Sequence, residues 1–252
     1  MIPARLIASI LGFLFVVVGL VRGGAIRNDK TIGGDRGDTA VGENNTLRRR
    51  RKGAVGRVAA HPGGNITGMA NMFGDAIGKS VELLHTIVPS AKRIAVLMSS
   101  NPTHPQQYEL VEIAAKTLDL ALVRVMAPTP DDLEQAFDRM KQENCDALFV
   151  LADPTRPTIV SLAAKTKIPA MYQFSSFVVL GGLASYGPEL KPIYRKAAQY
   201  VDKIFKGADP AQLPVEQPVV FEFSLNRKTA AAHGLTIPDS VMARADKVIE
   251  RD

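Results

Sequence analysis

Lys92-Arg93-Ile94-Ala95-Val96-Leu97-Met98-Ser99-Ser100-Asn101, with Pro102 behind it, decides how this chain is read. Two cations lead into five apolar residues, and the run stops at small polar residues and a proline. A short continuous apolar run bounded by turn signals fits a strand buried on both faces. Beyond it, Val111, Ala114, Ala115 and Leu118 recur with helical spacing across 105–118. A buried strand that ends in Ser-Ser-Asn-Pro and feeds a helix opens a βαβ unit. In open parallel sheets, ligands bind just beyond the carboxyl ends of such strands. The segment Ser99–Pro102 therefore reads either as a plain turn or as the rim of a ligand site.

The pattern repeats downstream. Residues 121–127 form a second strand, and Thr129-Pro130-Asp131-Asp132 starts a helix with a capping residue, a first-turn proline and acids facing the dipole. Leu133, Ala136, Phe137 and Met140 make its apolar stripe. A third buried strand over 147–151 ends at Ala152-Asp153-Pro154. A helix over 158–165 leads to a strand at 168–172 and then to Gln173-Phe174-Ser175-Ser176. Residues 181–186 are strand-like. Right-handed crossovers assemble these strands into one parallel sheet with helices on both sides, an α/β fold. Upstream, Ile77, Val81, Leu84 and Val88 mark one helix face that Pro89 closes.

The strand ends then converge on one rim carrying Ser99, Ser100, Asn101, Asp153, Ser175 and Ser176. Hydroxyls, an amide and a carboxylate suit a polar small molecule or an amino group. Histidine and paired carboxylates, the usual means of general acid–base catalysis, are missing from that set. His61, His85, His104 and His233 are scattered and read as surface or capping residues, with His104 the nearest to the rim. The sequence has no Gly-x-Ser-x-Gly, His-Glu-x-x-His, Cys-x-x-Cys or phosphate-loop motif. Cys145 is the single cysteine, so no intrachain disulfide and no cysteine-based metal site can form. Neither a cofactor nor a metal is expected.

After Lys191 the character changes. Ile193, Ala197, Tyr200, Val201 and Ile204 describe a long amphipathic helix stopped at Gly207. Pro214–Pro218 reads as an extended linker, 219–225 as a strand, Asn226 as the cap of a short helix, and Pro238 as the start of a last helix bearing Val241, Ala245 and Val248.

Charge divides the chain sharply. Residues 1–58 carry 11 Lys/Arg against 4 Asp/Glu, and residues 59–252 carry 20 against 21. The basicity belongs to the leader, so the body has no general nucleic-acid footprint. Residues 6–21 form an apolar run after Arg5 that reads as a signal peptide or an uncleaved membrane anchor within 1–25. Residues 26–57, rich in Gly, Asp, Asn and Arg, form a disordered basic linker. Its Arg48-Arg49-Arg50-Arg51-Lys52 run is a solvated cluster, an anionic-lipid contact or a nucleic-acid arm. Five cations so close behind the apolar run oppose export, because each charge moved outward against the membrane potential costs roughly 2.3 kcal/mol per 100 mV.

Longer motifs add a resemblance. Gly63-Gly64-Asn65-Ile66-Thr67-Gly68, the opening strand, Asn101-Pro102 and Gly181-Gly182-Leu183-Ala184-Ser185-Tyr186-Gly187-Pro188 are similar to the substrate-binding proteins of ABC transporters, in the family with tryptophan- and tyrosine-type uptake components. So are Tyr200-Val201-Asp202-Lys203-Ile204, Leu213-Pro214-Val215-Glu216-Gln217-Pro218 and Gly234-Leu235-Thr236-Ile237-Pro238. The resemblance spans about 58–252. It implies a periplasmic-binding-protein-like (type I) fold of two α/β lobes, with 69–180 as the second lobe and 181–252 as the crossover and a remnant of the first. It implies a solute-binding component of an import system that works with permease subunits and is periplasmic or anchored facing the periplasm. The ligand is expected to be amino-acid-like, an aromatic amino acid if Tyr172, Phe174, Phe177 and Tyr186 stack on it, with buried packing the equally good account of those rings. The candidate ligand set at the strand ends is Ser99, Ser100, Asn101, Thr103, Asp153, Phe174, Ser175 and Tyr186.

The resemblance also exposes a departure, since relatives place about a hundred residues of first lobe where the basic leader stands. The expectation is a truncated member that binds ligand weakly, if at all. Two other function classes stay open: a ligand-sensing regulator using the Arg run on nucleic acid, and a small α/β enzyme.

Overall fold

A computed structural model describes residues 66–69, 73–153, 157–217 and 220–250, together with the backbone of Val18–Gly19. The signal or anchor reading of 6–21 (apart from those two residues), the basic linker with its Arg run, and His61 lie outside the described residues. Among the described residues no helix is long and apolar enough to cross a membrane.

The chain falls into two compact units, one from residues up to Ala70 with Lys191–Gln217, the other from Asn71–Leu190 with Pro218 onward. In the first, the two-residue strands β1 (Val18–Gly19) and β2 (Ile66–Thr67) pair antiparallel. The Thr67 hydroxyl donates to the Leu213 carbonyl at 2.7 Å, and the Glu216 amide donates to Gly68 O at 3.1 Å. The long amphipathic helix buries Ile193, Ala197, Tyr200 and Ile204, one stripe at 3.6-residue spacing. It ends where Gly207 takes φ +98°, a conformation costly for any residue with a side chain. The Tyr200 hydroxyl lies 2.7 Å from Glu216 Oε1 and 2.8 Å from Pro214 O. Burial, then the Glu216 carboxylate, pushes that phenol's pKa upward.

The second unit is built on a seven-stranded sheet. In chain order its elements are α1 (Phe73–Ile87), β3 (Arg93–Met98), α2 (His104–Thr117), β4 (Ala121–Met126), α3 (Leu133–Gln142), β5 (Ala147–Val150), α4 (Pro157–Thr166), β6 (Ala170–Tyr172), α5 (Ser175–Val179) and β7 (Ala184–Pro188). The chain then passes through α6 (Leu190–Phe205) and returns with β8 (Phe221–Asn226), α7 (Arg227–Ala232), α8 (Asp239–Met242) and β9 (Lys247–Ile249). The strand order is β4-β3-β5-β6-β7-β8-β9. All neighbours pair parallel except β7 and β8, which pair antiparallel with Ala184 opposite Leu225 and Pro188 opposite Phe221.

The opening strand behaves as its composition demands. Every residue of β3 after Arg93 is buried, and successive side chains alternate between two cores. Ile94, Val96 and Met98 join Ile77, Leu84 and Val111 from α1 and α2 on one face. Ala95 and Leu97 join Phe137, Met140, Ile159 and Ala163 from α3 and α4 on the other. A strand covered by helices on both sides has no polar face to show, which is why its run is unbroken.

Two expectations are corrected. The sheet is mixed rather than wholly parallel, because the chain re-enters it at β8 in the opposite direction. The last helix is four residues long, and Val248 lies in β9, paired with Leu225. Spacing compatible with a helix yields here to the free edge of β8.

Candidate functional site

The carboxyl ends of β3, β5 and β6, three neighbouring strands, form the rim that the chain pattern implies. Ser99, Ser100 and Asn101 follow β3, Asp153 follows β5, and Phe174 and Ser175 follow β6. Tyr186 stands on β7 one strand further along, half-buried, with its ring 6.0 Å from that of Phe221. The expected residues thus share one edge of one sheet, but they are not equally available. Ser99, Asn101 and Asp153 are buried, Thr103, Phe174, Ser175 and Tyr186 are half-buried, and Ser100 is exposed.

The buried members are held by side chains that their sequence context does not single out. Asn101 Nδ2 donates to Ala152 O at 3.2 Å, crossing from the end of β3 to the end of β5. Asn101 Oδ1 accepts from the Thr103 hydroxyl at 3.0 Å, and that hydroxyl accepts from Gln107 Nε2 at 3.2 Å. Gln107 Oε1 accepts from the Ala152 amide at 3.3 Å. The four bonds close a ring through Asn101, Thr103, Gln107 and Ala152. Each donor and acceptor in it has one assignment consistent with the others.

His104 is 1% exposed, so its reading as a surface or capping residue is corrected. Its Nδ1 accepts from the Ser99 amide at 2.9 Å, and Nε2 lies 3.0 Å from Ala152 O. With Nδ1 accepting, the proton belongs on Nε2, and the neutral ring bolts the two strand ends together. A histidine so used positions a loop and is not available as a base. Gln173, 2% exposed, ends β6 and donates from Nε2 to Gln107 Oε1 at 3.4 Å, bringing a third strand end to the ring.

Backbone geometry fixes that third end. Gly187 on β7 passes so close to β6 that a Cβ there would lie 2.0 Å from the Gln173 carbonyl oxygen. Only glycine allows this approach.

Helix α2 starts directly beyond β3, and α4 starts beyond the end of β5. The positive ends of their dipoles therefore stand at the rim, although Pro105 and Pro157 carry no amide hydrogen and the His104 and Gln107 amides already donate to Asn101 O and Thr103 O. Asp153 adds the carboxylate. The rim can meet a small zwitterion with both kinds of charge.

The family profile described as ABC transporter substrate binding protein matches residues 57–249. The chain belongs to this family. A tyrosine-binding protein of Clostridioides difficile is 26% identical over 176 residues, covering 68% of this chain and 50% of that protein. The chain thus matches about half the length of that relative. An ABC domain from Streptococcus pneumoniae solved in complex with L-Trp is 29% identical, with 76% of this chain and 67% of that chain covered and a TM-score of 0.68. A conserved domain protein from Vibrio cholerae gives 27% identity, 77% and 67% coverage and a TM-score of 0.69.

Proposed function

We propose that this member of the ABC transporter substrate-binding family is a solute-binding component of an import system, taking an amino-acid-like molecule at the rim of β3, β5 and β6. The observation that carries the reading is the rim itself. Three adjacent strand ends are locked by buried neutral side chains, while Asp153 and the amino ends of α2 and α4 supply opposite charge at the same edge. An ammonium pairs with the carboxylate and a carboxylate pairs with the helix amino ends. Relatives named for tyrosine binding and solved with L-Trp make an aromatic amino acid the first solute to test. Its ring would lie against Phe174 and Tyr186, and Ser99, Ser100, Asn101, Thr103, Asp153 and Ser175 would frame its polar end.

The reading is non-catalytic. His104 has both ring nitrogens in structural bonds, and His85 and His233 sit on other elements away from the rim. Burial, then the Glu143 charge, pushes the Cys145 thiol up to about 11, which leaves it a poor nucleophile. Permease subunits are the proposed partners, and the compartment is the periplasm or the periplasmic face of the membrane.

Calorimetry of the full chain with L-tyrosine and L-tryptophan tests the reading. Saturable one-to-one binding that weakens at least about tenfold in Asp153→Asn is expected, the usual loss when a charge-assisted hydrogen bond goes. No heat with either amino acid, or undiminished binding in the variant, overturns it.

A further inference from the structure

Five buried side-chain atoms among the described residues lack a hydrogen-bond partner: His85 Nδ1, Tyr172 Oη, Gln173 Oε1, Ser185 Oγ and His233 Nδ1. Most buried polar groups in proteins are satisfied, so each exception asks for a reason. Tyr172 and Ser185 face each other within the β6–β7 ladder, and Tyr172 is covered by Phe177 of α5 at a ring distance of 4.5 Å. The two histidines sit beyond the carboxyl ends of α1 and α7 respectively or within their last turns, away from the rim. Tyr172 ends β6 beneath the Phe177 ring, whereas Gln173, the next residue, has its amide nitrogen bonded to Gln107 at the strand ends.

We infer that Gln173 is a specificity-determining residue of the rim, whose Oε1 accepts a hydrogen bond from the ammonium group of the bound solute. The inference rests on the solute-binding reading above and adds a residue to it. The amide cannot be turned over without cost, because Gln107 Oε1, its neighbour, only accepts, so Nε2 must face Gln107 and Oε1 is the end left over. Nearby donors are bonded to other acceptors: Gln107 Nε2 to Thr103, the Ala152 amide to Gln107 and Asn101 Nδ2 to Ala152 O. The protein therefore keeps an acceptor at the junction of β5 and β6 with no donor of its own. The 3.4 Å bond to Gln107 is long and holds the terminal amide only weakly. Asp153 follows the adjacent strand, and two acceptors of which one is charged favour a multiply donating cation such as a primary ammonium over a lone hydroxyl.

The test uses Gln173→Met in the full chain, a swap close in volume that removes the acceptor. The melting temperature of the ligand-free variant is expected to stay within a few degrees of the wild type, since losing the unpartnered acceptor offsets losing the long Nε2 bond to Gln107. Its affinity for L-tyrosine or L-tryptophan is expected to fall at least about tenfold, while 3-(4-hydroxyphenyl)propionate, which lacks the ammonium, binds both proteins alike. A ligand-free melting temperature lower by more than a few degrees would show that the side chain acts as a structural tie between the strand ends and would overturn the inference. Equal amino-acid affinity in wild type and variant overturns it too and leaves the solute reading standing. A wild-type chain that binds neither amino acid overturns the solute reading, and this one with it.

Discussion

The two ends of the seven-stranded sheet tie their strands together by different chemistry. At the amino ends, the exposed Asp146 carboxylate accepts from the Lys92 and Arg93 amides, both at 2.8 Å, joining β5 to β3. A second carboxylate tie, Asp246 accepting from the Phe223 amide at 2.8 Å, belongs to β8 and β9, which run the other way, so it lies at the opposite end of the sheet. At the carboxyl ends of β3, β5 and β6 the ties are neutral and buried, through Asn101, Gln107 and His104. The amino end also holds a groove of about 700 Å³ lined by Glu134, Asp138, Lys141, Cys145, Asp146 and Lys165 among others. That groove is larger than the small cavity lined by Ser99, His104 and Asp153, yet its charged side chains are mixed in sign and face water. Volume therefore does not mark the site. A strand tie made from an exposed carboxylate tolerates loss because water replaces it. A tie made from a buried amide does not, and it is the kind that preorganises a ligand surface.

This contrast can be broken most severely at Gly187. Gly187→Ala drives a methyl group into the Gln173 carbonyl, and a loss of about 3 kcal/mol is expected in a urea midpoint series. An unchanged midpoint would mean that the β6 and β7 ends are not held as described.

Cys145 probes the amino end. With its thiol at about 11, alkylation by iodoacetamide at pH 8 should run roughly a hundredfold slower than for a free cysteine, through the smaller thiolate fraction. Ordinary reactivity would show the groove to be open and polar down to the sulfur.

The most direct comparison sets one tie against the other. Gln107→Leu strands the Ala152 amide and should cost about 2 kcal/mol, whereas Asp146→Ala leaves amides that water reaches and should cost about half that or less. Equal losses would erase the distinction between the two ends.

The smallest effect is expected at the start of α3, where Asp132 accepts from the Thr129 hydroxyl at 2.7 Å and from its amide at 2.8 Å. The hydroxyl bond first, then the amide bond, lowers the Asp132 pKa below its ordinary value of 3.8. The unfolded chain binds the proton more readily, so the stabilisation is complete above that value and is lost as pH falls through the lowered folded one. Asp132→Asn should lower stability slightly at neutral pH, leave it nearly unchanged at the lowest pH, and so flatten this acid limb of a stability profile.

Most of the fold was legible because buried parallel strands announce themselves. The apolar run at 93–98 and the stripe Leu133, Ala136, Phe137 and Met140 came out with the burial their spacing implies. The strand β9 was not legible, since three residues with Val248 and Ile249 carry no period, and only the open edge of β8 makes them a strand. At the rim, small polar residues after each strand pointed to the edge. The residues that hold it were hidden for a plain reason: Gln107 lies inside a helix, where a glutamine ordinarily faces water, and His104 follows a turn. Their partners lie up to 66 residues away in sequence, at Ala152 and Gln173. Only the pairing of β3, β5 and β6 brings those carbonyls and amides within reach.

The reversed pairing of β7 with β8 has a consequence for synthesis. Pro188 meets Phe221 only after the whole of α6 and its following loop has been made, so β7 emerges from the ribosome as the bare edge of a five-stranded sheet. An uncovered edge strand is a template for any passing chain. Nature has made this one short and ended it in Gly187-Pro188, where a proline offers no amide to a stranger. The sheet waits for its own last strands with little to offer any others.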